Sequence, residues 1–383
     1  MANIHDFDDI RPFLPEELPE VYERLLADPE FQYALSVVYP GVPFEKLAQM
    51  IRQSGTSDEF QVTCIRPMLQ MLIDKASDGM TADFSGITDR SKCYTFISNH
   101  RDIVLDSAFL CYCLIAEGIK TVEIAIGDNL LIRPWIKDLV RVNKSFIVQR
   151  ALTMRQMLEA SAKMSRYMHF AINEKKENIW IAQREGRAKD SNDRTQDSVL
   201  KMMAMGGEGS VIQRLKNLNI VPLSISYEYD PCDYLKAEEF QNKRDIEGFK
   251  KSKQDDLDNM KTGIFGYKGR IHYHAAPCIN EWLDTIDPDT PKTEIFRLVA
   301  EHIDKQIHQG YVLYPCNYIA VDLLNGKGEY ASEYTPEDKA RFEAYLAKKM
   351  ALIKLENKDE AYLRERILTM YANPALNKLG AEK

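Results

Sequence analysis

The chain lacks the patterns that mark several function classes. Its seven cysteines are scattered through 383 residues without a Cys-x-x-Cys. The close pair, Cys111 and Cys113, lies in the apolar run "SAFLCYCLIA" (107–116). Reduced, buried thiols are therefore expected, and a cytoplasmic setting with them. No run of 18 apolar residues occurs, and 107–116 is bounded by Asp106 and Glu117, so no stretch is long enough to span a bilayer. The opening "MANIHDFDDIRPFLPEELPE" is acidic and broken by prolines, unlike a secretory or transit peptide. Positive charge is not in excess either: the formal net charge is −8. That argues against a general nucleic-acid binder and leaves any anionic ligand to a local cluster of cations. No Gly-x-Ser-x-Gly elbow is present, against a serine hydrolase, and "GGEGS" (206–210) lacks the continuation of a phosphate-binding loop.

What is present reads as a soluble globular chain, 45% hydrophobic and 28% charged, large enough for a substantial core. Residues 15–78 show apolar positions at helical spacing, in "PEELPEVYERLLADPEFQYAL", "PFEKLAQMIRQSG" and "VTCIRPMLQMLIDKA". Turn-prone "SDGMTADFSGITDRSK" is expected to end this part. From about residue 92, strand-like runs follow: "CYTFISN", "TVEIAIG", "SFIVQR", "NIWIAQ", "IVPLSISY" and "GRIHYH". Helical segments such as "RPWIKDLVRV" (133–142) lie between most of them. The alternation predicts an α/β fold, a mixed and largely parallel sheet flanked by helices. Residues 1–85 are expected to form an N-terminal helical domain, 86–330 the α/β domain and 331–383 a C-terminal helical segment. Residues 238–261 read as one highly charged helix with a solvated face. Thr335 and Pro336 mark the start of the C-terminal helices.

Four segments carry chemistry. In "SNHRDIVLD" (98–106) a strand delivers His100 to a loop before an apolar helix. An imidazole there can take a proton from a hydroxyl, with Asp102 or Asp106 fixing its tautomer. A histidine at a strand end is, however, commonly structural. "NKSFIVQR" (143–150) is an apolar strand flanked by Lys144 and Arg150. "NIWIAQREGRAKD" (178–190) empties into Arg184, Glu185, Gly186, Arg187 and Lys189; the glycine permits close approach and a guanidinium can grip a phosphate. "NIVPLSISYEYDP" (219–231) is a buried strand with a proline near its start. His272 and His274 share a strand face but lack a third ligand nearby in sequence, so a structural role is expected of them.

The order of these blocks resembles the glycerolipid acyltransferases. Their pattern is a His-x4-Asp segment, a Gly-x-x-Phe-Ile-x-Arg segment, a Glu-Gly-x-Arg segment and a Val-Pro strand. The glycerol-3-phosphate acyltransferase branch looks closest, since its soluble plastid members place a helical domain before the catalytic one. The likeness covers about 92–280. It implies acyl transfer from an acyl thioester, carried by acyl carrier protein or coenzyme A, to a hydroxyl of glycerol-3-phosphate in phospholipid synthesis. His100 would be the general base and Asp106 its orienter. Lys144, Arg150, Arg187 and Lys189 would hold the acceptor phosphate, with Glu185 and Gly186 shaping the loop. No metal and no cofactor beyond the acyl donor is implied. A product that partitions into bilayers implies peripheral contact with the inner membrane face.

The chain departs from the family pattern in three places: five residues separate His100 from Asp106, Lys144 stands where glycine is usual, and Arg187 directly follows Gly186. The alternatives are a lysophosphatidate acyltransferase and, in another class, a silent lipid- or carrier-binding protein.

Overall fold

The computed structural model describes residues 3–150 and 153–383. Seven strands form one sheet in the order β1-β7-β6-β2-β5-β3-β4. They are β1 (Met80–Asp83), β2 (Thr95–Ser98), β3 (Val122–Gly127), β4 (Ser145–Val148), β5 (Asn178–Ala182), β6 (Ile220–Tyr227) and β7 (Ile271–Ala275). Every neighbouring pair is parallel except β6 with β7. The six runs from "CYTFISN" onward all become strands. Residues 80–83, expected as turn, are a strand as well. This four-residue edge strand pairs with β7, 191 residues away in register (Met80 with Ile271), a partnership that local composition does not encode.

Alternation explains why the central strands are apolar throughout. In β2, Phe96 and Ile97 point to opposite faces and join different core clusters; in β5, Trp180 opposes Ile179 and Ile181 in the same way. One face is covered by α6 (Leu105–Ala116), whose Phe109, Leu110 and Leu114 meet Phe96 and Val221. The other is covered by α8 (Met154–Phe170) and α14 (Lys292–Gln309), through Tyr167, Met168, Val299 and Ile303.

Five short N-terminal helices precede the sheet: α1 (Leu18–Ala27), α2 (Pro29–Val38), α3 (Phe44–Arg52), α4 (Ser57–Phe60) and α5 (Arg66–Ala76). The first four pack on α7 (Pro134–Val142) through Val142, Trp135 and Leu139, while α5 joins the core on the α6 side of the sheet through Leu69, Leu72 and Ile73. The backbone of Ile10 accepts from Ile147 at 2.9 Å, covering the β4 edge. After β5 come α9 (Asp197–Met203) and α10 (Val211–Lys216). The expected single charged helix is two, α11 (Asp233–Asp245) and α12 (Lys253–Phe265). The break contains Gly248 at φ +71°, a left-handed conformation that a continuous helix cannot absorb. The chain closes with α13 (Asn280–Leu283), α14, α15 (Pro315–Asn325), α16 (Pro336–Leu352) and α17 (Glu360–Ala381). Thr335 caps α16 by accepting from the Asp338 amide, with Pro336 at the first helical position.

Candidate active site

Strands β2, β5, β3 and β4 are contiguous and parallel, so their carboxyl ends, and the loops after them, share one edge of the sheet. In sheets of this kind ligands bind there. The β2 loop presents His100, the β4 loop Arg150, and the β5 loop Arg184, Glu185, Gly186 and Arg187. All six line one cavity of about 440 Å³, with Lys189 and Lys251.

The histidine is built in by its neighbours. His100 Nδ1 lies 2.8 Å from Asp106 Oδ2, and Asp106 is 1% exposed at the start of α6. That same oxygen accepts the Arg101 backbone N–H at 2.7 Å, and Asp106 Oδ1 accepts that of Asp102 at 3.1 Å. A carboxylate only accepts, so Nδ1 carries a proton, and in the neutral ring the lone pair is on Nε2. Among the described residues Nε2 has no hydrogen-bond partner, and the ring's edge packs against Trp180 at 6.0 Å between centroids.

Asp102, the other carboxylate the sequence offers, does different work. Its Oδ1 accepts the Val104 and Leu105 amides at 2.8 Å each, holding the turn into α6. Burial, with Asp106 beside it, pushes its pKa up. The extra residue between His100 and Asp106 is therefore accommodated by a loop pinned from both ends, by Asp106 and by Asp102.

The β5 loop supplies the cations. Gly186 sits at φ +67°, turning the chain sharply between Arg184 and Arg187. Arg187 Nη2 donates to Asn259 Oδ1 at 3.0 Å, while its Nη1 is buried without a protein partner. Arg184 Nε is buried and unpartnered too. Buried donors are normally satisfied, so two such orphans lining one cavity point to a missing acceptor-rich ligand. Arg150 reaches toward the same loop, with Nη1 3.2 Å from Glu185 Oε1. Asn129 and Arg150 fill the space beside Gly127; a Cβ on Gly127 would stand 2.5 Å from Asn129 Oδ1 and 2.8 Å from Arg150 Nε.

Two of the lysines expected at the phosphate are placed differently. Lys144 does not reach the cavity. Its neighbours Asn143 and Ser145 line the cavity, but its own side chain turns away from them. Its ammonium is 2.8 Å from Asp58 and 2.9 Å from Glu177 and donates to Thr121 at 3.1 Å. Burial disfavours that charge, but Glu177 and Asp58 outweigh it and hold the pKa above the ordinary lysine value. Lys144 adopts φ +62°, a geometry that glycine takes at less cost. It is a staple between α4 and the sheet.

Lys189 lines the cavity, yet its ammonium pairs with Glu239, a carboxylate 4% exposed. Glu239 also meets Lys243 at 2.9 Å and Lys251 at 2.8 Å, so three lysines surround one carboxylate and the wall stays positive. Burial pulls the Lys189 pKa down to about 8.

Away from these charges the cavity becomes apolar. Val104 just before α6, Ala108 within it, Ile124 and Ile126 of β3, and Ile136 and Val140 of α7 line that part. Ala108 and Asn143 also border a second, smaller void toward Leu69, Cys111 and Ile115. Sequence reasoning missed Arg184 as a site residue, and with it Lys251, Asn259 and the apolar slot. The signal for Arg184 was its place two residues past the end of β5.

His272 and His274 lie apart from this site on β7, bonded to Thr81 at 2.8 Å and Asp83 at 3.2 Å. Among the described residues no three His, Cys, Asp or Glu side chains form a metal-holding group. Likewise no helix there is long and apolar enough to cross a membrane.

A base held by a buried carboxylate, a cationic wall and an apolar slot in one cavity suit joining a fatty chain to an anionic alcohol. Residues 87–226 match the family model described as Acyltransferase, a stretch running from before β2 to the end of β6. That stretch is an acyltransferase domain, and it holds His100, Asp106, Arg150 and the β5 loop. None of the curated proteins matches it. Among solved structures it is similar to the 1-acyl-sn-glycerophosphate (LPA) acyltransferase PlsC from Thermotoga maritima, at 9% identity and a TM-score of 0.36, covering 76% of this chain and 97% of that one. A likeness that loose carries no argument about the acceptor.

Proposed function

We propose that this protein transfers a fatty acyl group from a thioester, on acyl carrier protein or coenzyme A, to a hydroxyl of glycerol-3-phosphate. The observation that carries the reading is the single cavity in which His100 stands between buried, unpartnered guanidinium N–H groups and an aliphatic slot. The phosphate takes the donors of Arg184 and Arg187, with Arg150 and the lysine cluster adding positive field. The acyl chain lies between α6, β3 and α7. His100 Nε2 takes the hydroxyl proton as the oxygen attacks the thioester carbonyl, and Asp106 stabilises the imidazolium that forms. The tetrahedral intermediate collapses with cleavage of the C–S bond, and the imidazolium returns its proton to the departing sulfur. No acyl-enzyme forms. Peripheral attachment to an anionic membrane belongs to the same reading, because the acylated product leaves into lipid.

An acceptor screen with defined palmitoyl thioesters tests this. Glycerol-3-phosphate is expected to be the preferred acceptor over glycerol and over lysophosphatidate. Preference for lysophosphatidate would move the protein to the second acylation. Transfer to no acceptor would make it a silent binding protein.

A further inference from the structure

The charge pattern of α12 predicts a helix facing solvent, yet this helix forms a wall of the cavity. Asp256 and Met260 line it, and Asn259 between them is 4% exposed. Asn259 is fixed on three sides. Its Nδ2 donates to the Asp255 carbonyl at 2.8 Å, its own carbonyl accepts from the Cys232 thiol at 3.3 Å, and its Oδ1 accepts from Arg187 Nη2 at 3.0 Å. The bond to Asp255 settles which end of the amide is the acceptor, so it is the oxygen that meets the guanidinium. One turn further, Gly263 abuts the loop that carries His100: a Cβ there would stand 2.1 Å from Asp102 Oδ2. The helix thus touches both the cation and the loop that carries the base.

The consequence falls on Arg187. With Nη2 held by a neutral amide, the guanidinium plane is fixed; among the described residues no carboxylate forms an ion pair with it, although Asp102 and Asp230 feel its charge, and Nη1 is left buried and unpartnered. We propose that Asn259 is a positioning residue for the acceptor, aiming Arg187 Nη1 at its phosphate while leaving the guanidinium charge free for the anion. This rests on the acyltransferase reading above and adds a determinant of acceptor affinity more than seventy residues from the cation it serves.

The full chain and its Asn259→Ala and Asn259→Asp variants test the assignment. KM for glycerol-3-phosphate and for palmitoyl-coenzyme A is measured for each, with a thermal melt. Asn259→Ala should raise the acceptor KM about tenfold, the scale of one lost hydrogen bond to a charged group, and leave the donor KM within about twofold. Asn259→Asp is the decisive arm. A carboxylate accepts the same hydrogen bond from Arg187 but cannot donate to the Asp255 carbonyl, so a merely structural role shows as a lowered melt and a shift in both KM values, not in the acceptor KM alone. As a positioning residue it fails, because the new charge competes with phosphate for Arg187, and the acceptor KM rises beyond that of Asn259→Ala. An Asn259→Asp protein with the parental acceptor KM overturns the proposal alone. A parent that acylates glycerol as readily as glycerol-3-phosphate overturns the phosphate reading and this assignment with it. If the alanine variant does not fold, the aspartate variant still decides.

Discussion

Replacing Asp106 with asparagine keeps the shape of the buried carboxylate and changes its charge and one of its acceptors. Asp106 Oδ2 serves both His100 Nδ1–H and the Arg101 amide, and Oδ1 serves the Asp102 amide. An asparagine can present its oxygen to one side only. With NH2 toward His100, the ring must accept at Nδ1, which moves the proton to Nε2 and disables the base. With NH2 toward Asp102, a buried N–H loses its acceptor at a cost of about 1–3 kcal/mol, and the imidazolium still lacks its counter-charge. Loss of a positioned, correctly protonated base lowers kcat by a factor on the order of 10² to 10⁴. At about 1.4 kcal/mol per tenfold this raises the barrier by about 3–6 kcal/mol. Asp102→Asn is the matched control, since its Oδ1 can still accept the Val104 and Leu105 amides. Steady-state kcat at saturating thioester and acceptor is the assay, with thermal melts to confirm folding. Asp106→Asn within about tenfold of the parent, or Asp102→Asn falling as far, would refute the assignment of the dyad.

Three further outcomes follow from the same geometry. Lys189 has its pKa lowered to about 8, so its positive charge is present below that pH and lost above it. The acceptor KM should therefore rise a few-fold between pH 7 and 9, and this rise should vanish in Lys189→Arg. Ala108 walls the slot from the smaller void beyond it, so Ala108→Leu should cut kcat/KM for palmitoyl donors by roughly tenfold or more while sparing octanoyl donors. Equal loss for both lengths would place the acyl chain elsewhere. Sedimentation with anionic vesicles should bind the protein at low salt and release it as ionic strength rises, because local cations on an acidic chain make the contact; salt-independent binding contradicts this.

The sheet was legible because its central strands are buried on both faces and so read as unbroken apolar runs, "IVPLSISY" above all. Strand β1 was not, since "MTAD" is half exposed and owes its conformation to β7. The candidate base was suggested by a histidine placed just past a strand, but the choice between Asp102 and Asp106 as its partner depended on how a loop with one extra residue closes. Lys144 was misplaced because its side chain is drawn to Asp58 and Glu177, away from the cavity its neighbours Asn143 and Ser145 line, and neither carboxylate is near it in sequence. The apolar slot was hidden because Ile124, Val140 and Ala108 carry the same signature as core residues. Asn259 was hidden because nothing local says that a charged helix will lie over Arg187.

His100 is the proposed base that activates the acceptor hydroxyl, and every step of the proposed transfer depends on it. The most direct measurement is single-turnover transfer of a radiolabelled palmitoyl group to glycerol-3-phosphate by the parent chain and by His100→Ala, under saturating acceptor. The prediction is rapid transfer by the parent and a rate lower by at least about 10² in a variant that still melts cooperatively. Transfer by His100→Ala at the parental rate would contradict it.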